Sequence, residues 1–473
     1  MSIKYLGRQS LIYGTGYVLA RSITFLLLPL YTNVFSLEDY GVISLVYTFL
    51  GFMNIILHYG LDASLLKYYV PSKSEDRKSI LTNAYTSLMF TTIVVIIIMI
   101  LLKNQVSGLL FGINQPQITL LVSGILFFDI LWTIHVLLLR AENKPLLFIG
   151  INFFNVFSSL GLNIFFIMHL QLGIYGVLIS NLITSGCIFF ATLPLILHRF
   201  SINTISREQW KKLMSFAYPF LFSGIFSMII ELSDRYILLY ITNIETVGLY
   251  NSGYKLGMIM MLVVVGFNMA WQPYFLIKDP KDNNYIAKIT TVVISILVFI
   301  WILLLLWVEN IVKVQFWEFT FFGEQFWAST SIVPIIALAF IFHALYLLQL
   351  PGVYLLEKSG WIAFARGIGA TLNISLNFLL IPIYGIMGAA VATCISYLLI
   401  AIIFYMINKK IFPISYNWGK LGIISLTAGF IIIIQFNFQL NISMKIIASI
   451  FYPVVMVLSG VLKLNRFSSL ISA

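Results

Sequence analysis

Four cations sit inside long apolar stretches of this chain: Arg21, Arg235, Lys255 and Arg366. Three acids share such surroundings: Asp62, Asp129 and Asp234. A charge at the middle of a bilayer costs about 2.5–3.5 kcal/mol on the insertion scale. These groups must therefore face water, a partner or a ligand. Cations lining a hydrated chamber would receive an anion, and cation-to-phosphate contacts are the strong, charge-assisted kind. An embedded acid could bind a coupling proton or sodium ion. Local pairing is the plainer alternative for some of them. Arg235 could bond Glu231, four residues back on the same helix face, and Lys255 could snorkel to the interface. Arg21 has no acid three or four residues away on either side. Asp62 lies near the end of its stretch, five residues from Lys67, where it can simply be interfacial. Asp129 is mid-stretch with Ile125 and Thr133 at four residues, so it needs a partner from another helix. His58 and His135 could relay protons, although hydrogen-bonded structural roles explain them. Asn152, Asn155, Asn163, Asn373 and Asn377 suit bonding between helices, and Gly253 with Gly257 is a GxxxG pair of little weight alone.

The elements that must hold these groups follow from composition. Of the 473 residues, 60% are hydrophobic and only 10% are charged, against about a quarter charged in a soluble domain. The solvent must be lipid, where every backbone group needs an internal partner and only helices or closed barrels suffice. The apolar runs are continuous rather than alternating, so helices are expected. Spans are predicted near 10–35, 40–66, 80–102, 117–139, 145–168, 173–198, 213–240, 246–272, 287–308, 328–356, 359–381, 385–407, 418–435 and 443–462. Twenty-one of the 28 Lys and Arg fall in the tails and in alternate loops, while only Lys103, Lys313 and Lys445 fall in the opposite loops. That imbalance predicts about fourteen spans with both ends in the cytoplasm. Arg21 interrupts the first apolar run and no small-residue cleavage site follows, so the first helix is expected to be kept. The net charge of +11 is spread over short segments facing the inner leaflet. This argues for anionic membrane lipids and against nucleic acid.

The two halves echo one another. Glu38-Asp39-Tyr40-Gly41-Val42 is matched by Glu245-Thr246-Val247-Gly248-Leu249, and Gly60-Leu61-Asp62 by Gly266-Phe267-Asn268. Leu110-Phe111-Gly112 is matched by Phe321-Phe322-Gly323, and Gly173-Ile174-Tyr175-Gly176 by Gly385-Ile386-Met387-Gly388. An even, six-span repeat keeps one orientation, so two parallel six-helix lobes are expected around a central cavity. The expected divisions are 1–205, 206–410 and a two-helix appendage over 411–473. The outer loop 309–329, rich in Trp and Phe, is expected to lie in the interface. No P-loop, HExxH motif or nucleophile elbow is present, and no extramembrane segment is long enough for a catalytic domain. The expectation is a protein that is not an enzyme, has no cofactor and holds no metal site. Cys187 and Cys394 are expected to be small core residues.

The segments Leu19-Ala20-Arg21 to Pro29-Leu30 and Glu38-Asp39-Tyr40-Gly41 resemble the opening of the polysaccharide-unit flippases of the Wzx type. Asp234-Arg235 followed by Val247-Gly248-Leu249-Tyr250-Asn251-Ser252 resembles the seventh-span region of the same family. These flippases belong to the multidrug/oligosaccharidyl-lipid/polysaccharide exporter superfamily. The resemblance covers essentially the whole chain. It implies an all-α polytopic fold and flipping of an undecaprenyl-pyrophosphate-linked oligosaccharide, for O-antigen or capsule, across the bacterial inner membrane. On that basis Arg21, Arg235, Lys255 and Arg366 would bind substrate, and Asp129, Asp62 or Asp234 would bind the coupling ion, Na+ or H+. A polysaccharide polymerase is an expected partner. A cation-coupled small-molecule exporter, a lipid-II flippase of the same superfamily and a scaffolding component of glycan assembly are the alternatives.

Overall fold

The structure is a computed structural model that describes residues 25–276, 284–316, 319–358, 360–438 and 440–462. Among these residues the fold is all-α apart from one small hairpin. The helices are α1 (Leu28–Val34), α2 (Leu37–His58), α3 (Leu61–Tyr69), α4 (Ser74–Leu101), α5 (Lys103–Phe111), α6 (Pro116–Ala141), α7 (Pro145–Ile164), α8 (Gly173–Leu197) and α9 (Arg207–Ile241). They continue as α10 (Ile244–Gly257), α11 (Ile259–Leu276), α12 (Asn284–Val312), α13 (Val333–Leu348), α14 (Pro351–Leu355), α15 (Gly360–Tyr384), α16 (Ile386–Ile411), α17 (Trp418–Asn437) and α18 (Ile442–Leu458). Strands β1 (Gln315–Phe316) and β2 (Phe319–Thr320) pair antiparallel in the aromatic segment, ahead of a 3-10 helix over Glu324–Ile332.

Among the described residues eleven helices are long and apolar enough to cross a membrane, and the bent pair α10–α11, taken as one span, makes a twelfth. α18 is a shorter apolar helix, and most of the span expected over 10–35 lies outside the described residues. Exposure confirms that lipid is the solvent. Leu101 is 75% exposed, Leu426 77% and Ile433 62%, far more apolar surface than water tolerates. This is a multi-pass membrane protein.

The helix boundaries have local causes. Ser36, Asn417 and Asn441 each accept a hydrogen bond from a backbone N–H in the first turn of the helix that follows. Proline opens α6 and α7, where its missing N–H is harmless. Two single spans expected from the sequence are each broken. Tyr59 and Gly60 are both left-handed, at φ 33° and 80°, which separates α2 from α3. A bend of 42° separates α10 from α11.

Contacts group the chain into two units. The first is Met1–Asn251 with Asn377–Gly385. Its core is α6, packed on α8, α4 and α2 through Val122, Ile125, Leu126, Ile130 and Ile134. The second is Ser252–Leu376 with Ile386–Ala473, centred on α13 between α16 and α12. There Gln349 donates to the Ala401 carbonyl at 3.1 Å, and Asn408 donates to the Gln349 carbonyl at 2.8 Å. The last helix, α18, is fastened along α12 by three polar contacts. Lys445 donates to Asn310 at 2.7 Å, Trp307 to Ser449 at 3.0 Å, and Tyr452 to the Ser295 carbonyl at 3.0 Å. Away from water such contacts resist exchange, so they can hold an otherwise apolar helix in register.

Candidate functional site

In the first unit, the repeat-equivalent starts of α2 and α10 meet backbone to backbone. A Cβ on Gly41 would strike the Ile244 carbonyl oxygen, and one on Gly248 would strike that of Leu37. This close approach brings Asn251 and Tyr250 of α10 against Asp234 and Arg235 of α9. Both charged residues are buried, at 0% and 2% exposure. Arg235 Nη1 lies 2.6 Å from Asp234 Oδ1, and Tyr250 donates to Asp234 Oδ2 at 2.5 Å. Arg235 also donates to the Glu231 carbonyl and, at 3.4 Å, to Asn251 Oδ1. Its guanidinium stands 5.5 Å from the Tyr250 ring centroid. A buried charge persists when paired and hydrogen-bonded, and this one is. The bond expected toward Glu231 exists, but to its backbone. The counter-charge is the adjacent Asp234.

Asp129 is half-buried and finds its partner on another helix. Ser185 of α8 donates to Asp129 Oδ1 at 2.5 Å, and Trp132 donates to the same oxygen at 3.0 Å. Among the described residues no cation pairs with it. Asn181 of α8 also bonds Tyr47 of α2, and Tyr31 of α1 donates to Asn163 of α7 at 2.8 Å. Asp62 is exposed in the first turn of α3, as an interfacial acid would be. His135 is fully buried between Thr192 at 2.7 Å and Tyr85 at 3.2 Å. His58 bonds the Asn54 carbonyl at 2.7 Å.

In the second unit, Lys255 and Arg366 are both half-buried. Lys255 sits two residues before the end of α10, between Gly253 and Gly257. Those glycines are where α10 presses onto the segment from Ser329 to Ile336: a Cβ on Gly253 would strike the Ser329 carbonyl oxygen, and one on Gly257 would lie 2.7 Å from Ile336. Arg366 of α15 stands 5.6 Å from the ring centroid of Tyr346, which is itself flanked by His343 at 5.7 Å. The adjoining face of α13 lines a groove of about 530 Å³. Leu338, Ile341, Phe342 and Leu345 line it from α13, with Ile424 and Ile432 of α17 opposite. Gln349, Tyr405, Tyr416 and Trp418 give one end a polar edge. No sequence pattern announces this groove, because four helices far apart in sequence build it. Arg21 lies outside the described residues. Among those residues no cluster of His, Cys, Asp or Glu could hold a metal. Cys394 is buried and Cys187 exposed.

A model of the polysaccharide biosynthesis protein family matches residues 6–276, more than half of the chain. The chain belongs to that family. As a member of the polysaccharide biosynthesis protein family it is 24% identical over 280 residues to an uncharacterized membrane protein of Haemophilus influenzae. That match covers 56% of this chain and 64% of the relative, just under two thirds of its length. Among solved structures, the inward closed conformation of the lipid II flippase MurJ superposes with a TM-score of 0.74 at 16% identity, covering 95% of this chain and 99% of that one. An inward-facing multidrug resistance MATE transporter of the MOP superfamily gives 0.64 at 11% identity over 86% of this chain and 94% of that one. The outward-facing form gives 0.62 at 11%, over 85% and 95%. The family thus has here the polytopic fold shared by MurJ and the MATE transporters.

Proposed function

We propose that this protein is a flippase that carries an undecaprenyl-pyrophosphate-linked oligosaccharide from the inner to the outer leaflet of the bacterial inner membrane by alternating access. Family membership supplies the polysaccharide context. The observation that carries the proposal is that α13 holds a half-buried cation, Arg366, against Tyr346 and lines an apolar groove with its adjoining face. A lipid-linked diphosphate needs both environments. Arg366 and Lys255, with Arg21, are the proposed contacts to the diphosphate, and the groove is the proposed bed of the prenyl chain. Arg235 is assigned instead to fastening α9 to α10, since Asp234 already balances its charge. Two helix lobes and a two-helix appendage, with both ends in the cytoplasm, are the arrangement that alternating access would use here.

Asp129 is the proposed ion site. A carboxylate inside the membrane that pairs with no cation among the described residues is costly when charged, and either a proton or Na+ relieves it. Asp234 is held by Arg235 and Tyr250, and Asp62 faces solvent, so both are weaker candidates.

The test is a deletion strain complemented with wild type, Arg366→Ala or Lys255→Ala. Loss of surface polysaccharide without drug sensitivity is expected for the deletion, and reduced polysaccharide for the variants. Drug accumulation with intact polysaccharide would identify a small-molecule exporter. Rescue of a strain lacking its lipid-II flippase would identify that activity instead. Movement of a lipid-linked oligosaccharide by the purified protein in liposomes would exclude a scaffolding role.

A further inference from the structure

The short helix α3 is set at an angle to α2 by the left-handed pair Tyr59 and Gly60, and it is clamped onto α9. A Cβ on Gly60 would strike the Ala217 carbonyl oxygen, so the two backbones approach as closely as a glycine permits. Ser64 donates to the Leu213 carbonyl at 2.9 Å. This clamp fixes the positions of two lysines, Lys67 on α3 and Lys212 on α9. The Lys67 ammonium lies 3.6 Å from the centroid of the Phe216 ring and 5.3 Å from that of Tyr68. The Lys212 ammonium lies 5.0 Å from the Tyr68 centroid. Two cations thus share one aromatic ring and stand no more than about 10 Å apart. Both are exposed. Among the described residues neither makes an ion pair, and the nearby acid Glu142 is taken by Lys144 and Arg199. Asp62, on the same short helix, pairs with neither.

A basic run is usually a solvated face. Here two features depart from that. Ring contacts within about 6 Å attract an ammonium and limit its wandering, and rigid backbone contacts hold the rings. Like charges held together, with no ion pair to either among the described residues, favour a bridging anion. Each N+–H···O− contact spans roughly 2.8 Å. A diphosphate, with oxygens on two phosphorus atoms, can bridge nitrogens over a range of separations up to the bound of about 10 Å, further than a single carboxylate reaches.

We propose that Lys67 and Lys212, seated on Tyr68 and Phe216, form a docking site for the diphosphate of the lipid-linked substrate. It lies on the face that the charge distribution assigns to the cytoplasm. This proposal rests on the flippase function above and adds the first point of contact, on the side where the substrate would be loaded. The exposed apolar rings of Tyr218, Phe220 and Phe222 along α9 suit a site at the level of lipid headgroups.

The test measures binding of undecaprenyl diphosphate to the whole protein in nanodiscs of zwitterionic lipid. Parallel samples contain phosphatidylglycerol or inorganic pyrophosphate in its place. Wild type is expected to bind the lipid diphosphate with an affinity that falls as salt rises. Lys67→Ala with Lys212→Ala is expected to weaken it roughly ten- to a hundredfold, as loss of two charge-assisted contacts should. Lys67→Arg with Lys212→Arg should retain it. Lys211→Ala, next in sequence but not on the rings, should leave it unchanged. Unchanged binding by the double alanine variant, with normal elution and thermal stability, would overturn the site. So would equal wild-type affinity for phosphatidylglycerol, which would mark a general anionic-lipid patch. Inorganic pyrophosphate competing in a lysine-dependent way would support the headgroup as the recognised part. Lysine-dependent binding without any transport in liposomes would leave the docking site standing and remove the flippase function. Transport with lysine-independent binding would do the reverse.

Discussion

Replacing Asp234 with asparagine keeps an acceptor for Tyr250 but leaves the Arg235 guanidinium buried without its counter-charge. The pair is separated by 2.6 Å, and both members are essentially sealed from solvent. Breaking such a pair by removing one partner destabilises by about 3–5 kcal/mol. The entropy of unfolding scales with length, at about 2.1 cal/mol/K per residue in soluble proteins. For a chain of 473 residues that is roughly 1 kcal/mol/K, so the melting temperature should fall by roughly 3–5 °C. The assay is thermal loss of the monodisperse peak in detergent, with wild type, Asp234→Asn, Arg235→Met and the double variant Asp234→Leu with Arg235→Met. Each single change should lower the midpoint. The double variant should recover most of the loss, because replacing both charges by apolar groups removes the desolvation penalty along with the attraction. Surface polysaccharide should follow stability across the four proteins. If the single effects simply add in the double variant, the two side chains are not coupled and the structural assignment of Arg235 fails. If the double variant is stable but has lost all transport, Arg235 touches substrate.

Three further outcomes follow from the geometry. Gly248→Ala places a methyl against the Leu37 carbonyl, a backbone atom that cannot step aside. It should destabilise by at least the 1–3 kcal/mol typical of overpacking, seen as lower membrane abundance and a lower melting temperature; a neutral result would show that α2 and α10 can part freely. Asp129→Asn retains the bonds from Ser185 and Trp132 but cannot bind a cation or proton. Transport in liposomes should lose its response to an imposed ion gradient while the melting temperature stays within about 1 °C, and a retained response would exclude Asp129 as the coupling site. Burial pushes the Glu142 carboxyl up, but bonds from Lys144 and Tyr69 and the charge of Arg199 outweigh it and hold the group below the ordinary range. A depressed carboxyl stabilises the fold above its unfolded value of about 4.3 and loses that contribution as pH falls through the lower folded value. Thermal stability should therefore drop below about pH 4 in wild type and respond less to acid in Glu142→Gln, as read from melting curves between pH 3 and 7.

The spans were legible because lipid imposes one constraint on every helix, a long apolar run, and that constraint is local in sequence. Where a helix breaks without becoming polar, the signal vanishes. Residues 55–61 stay mostly apolar through the left-handed Tyr59–Gly60 turn, so nothing in hydropathy marks it. The partner of Arg235 escaped for a related reason. Pairing rules consider residues three or four apart, whereas neighbours on a helix do not face each other. The long arginine side chain reaches Asp234 only because Tyr250 and Asn251 hold the pair from α10. The need of Asp129 for a partner on another helix was legible, although Ser185 as that partner was not. The groove beside α13 and the lysines on Tyr68 and Phe216 depend on packing between distant segments. Residues 67–68 and 210–216 carry cations and rings in plain view, but only the clamp of α3 on α9 makes them one site.

The GxxxG pair shows how structure changes the weight of a weak motif. Gly253 and Gly257 alone mean little, since glycine is frequent in membrane helices. Gly41 and Gly248, at equivalent points of the repeat, also sit where a Cβ would strike a neighbouring helix. Small residues let backbones approach and gain dispersion contacts that lipid cannot replace. Within the first unit Gly248 of α10 packs on α2; within the second, Gly253 and Gly257 pack on the segment from Ser329 to Ile336, with Lys255 between them in sequence. A helix segment packed this closely on its neighbour is a rigid mount. Its bend at the junction with α11 falls immediately after the last of these glycines, at residue 258. The polar side chains of α10 are thus fixed up to that point, and any rearrangement of the span during transport must be taken up from residue 258 onward or by the parting of α10 from a neighbour as a whole.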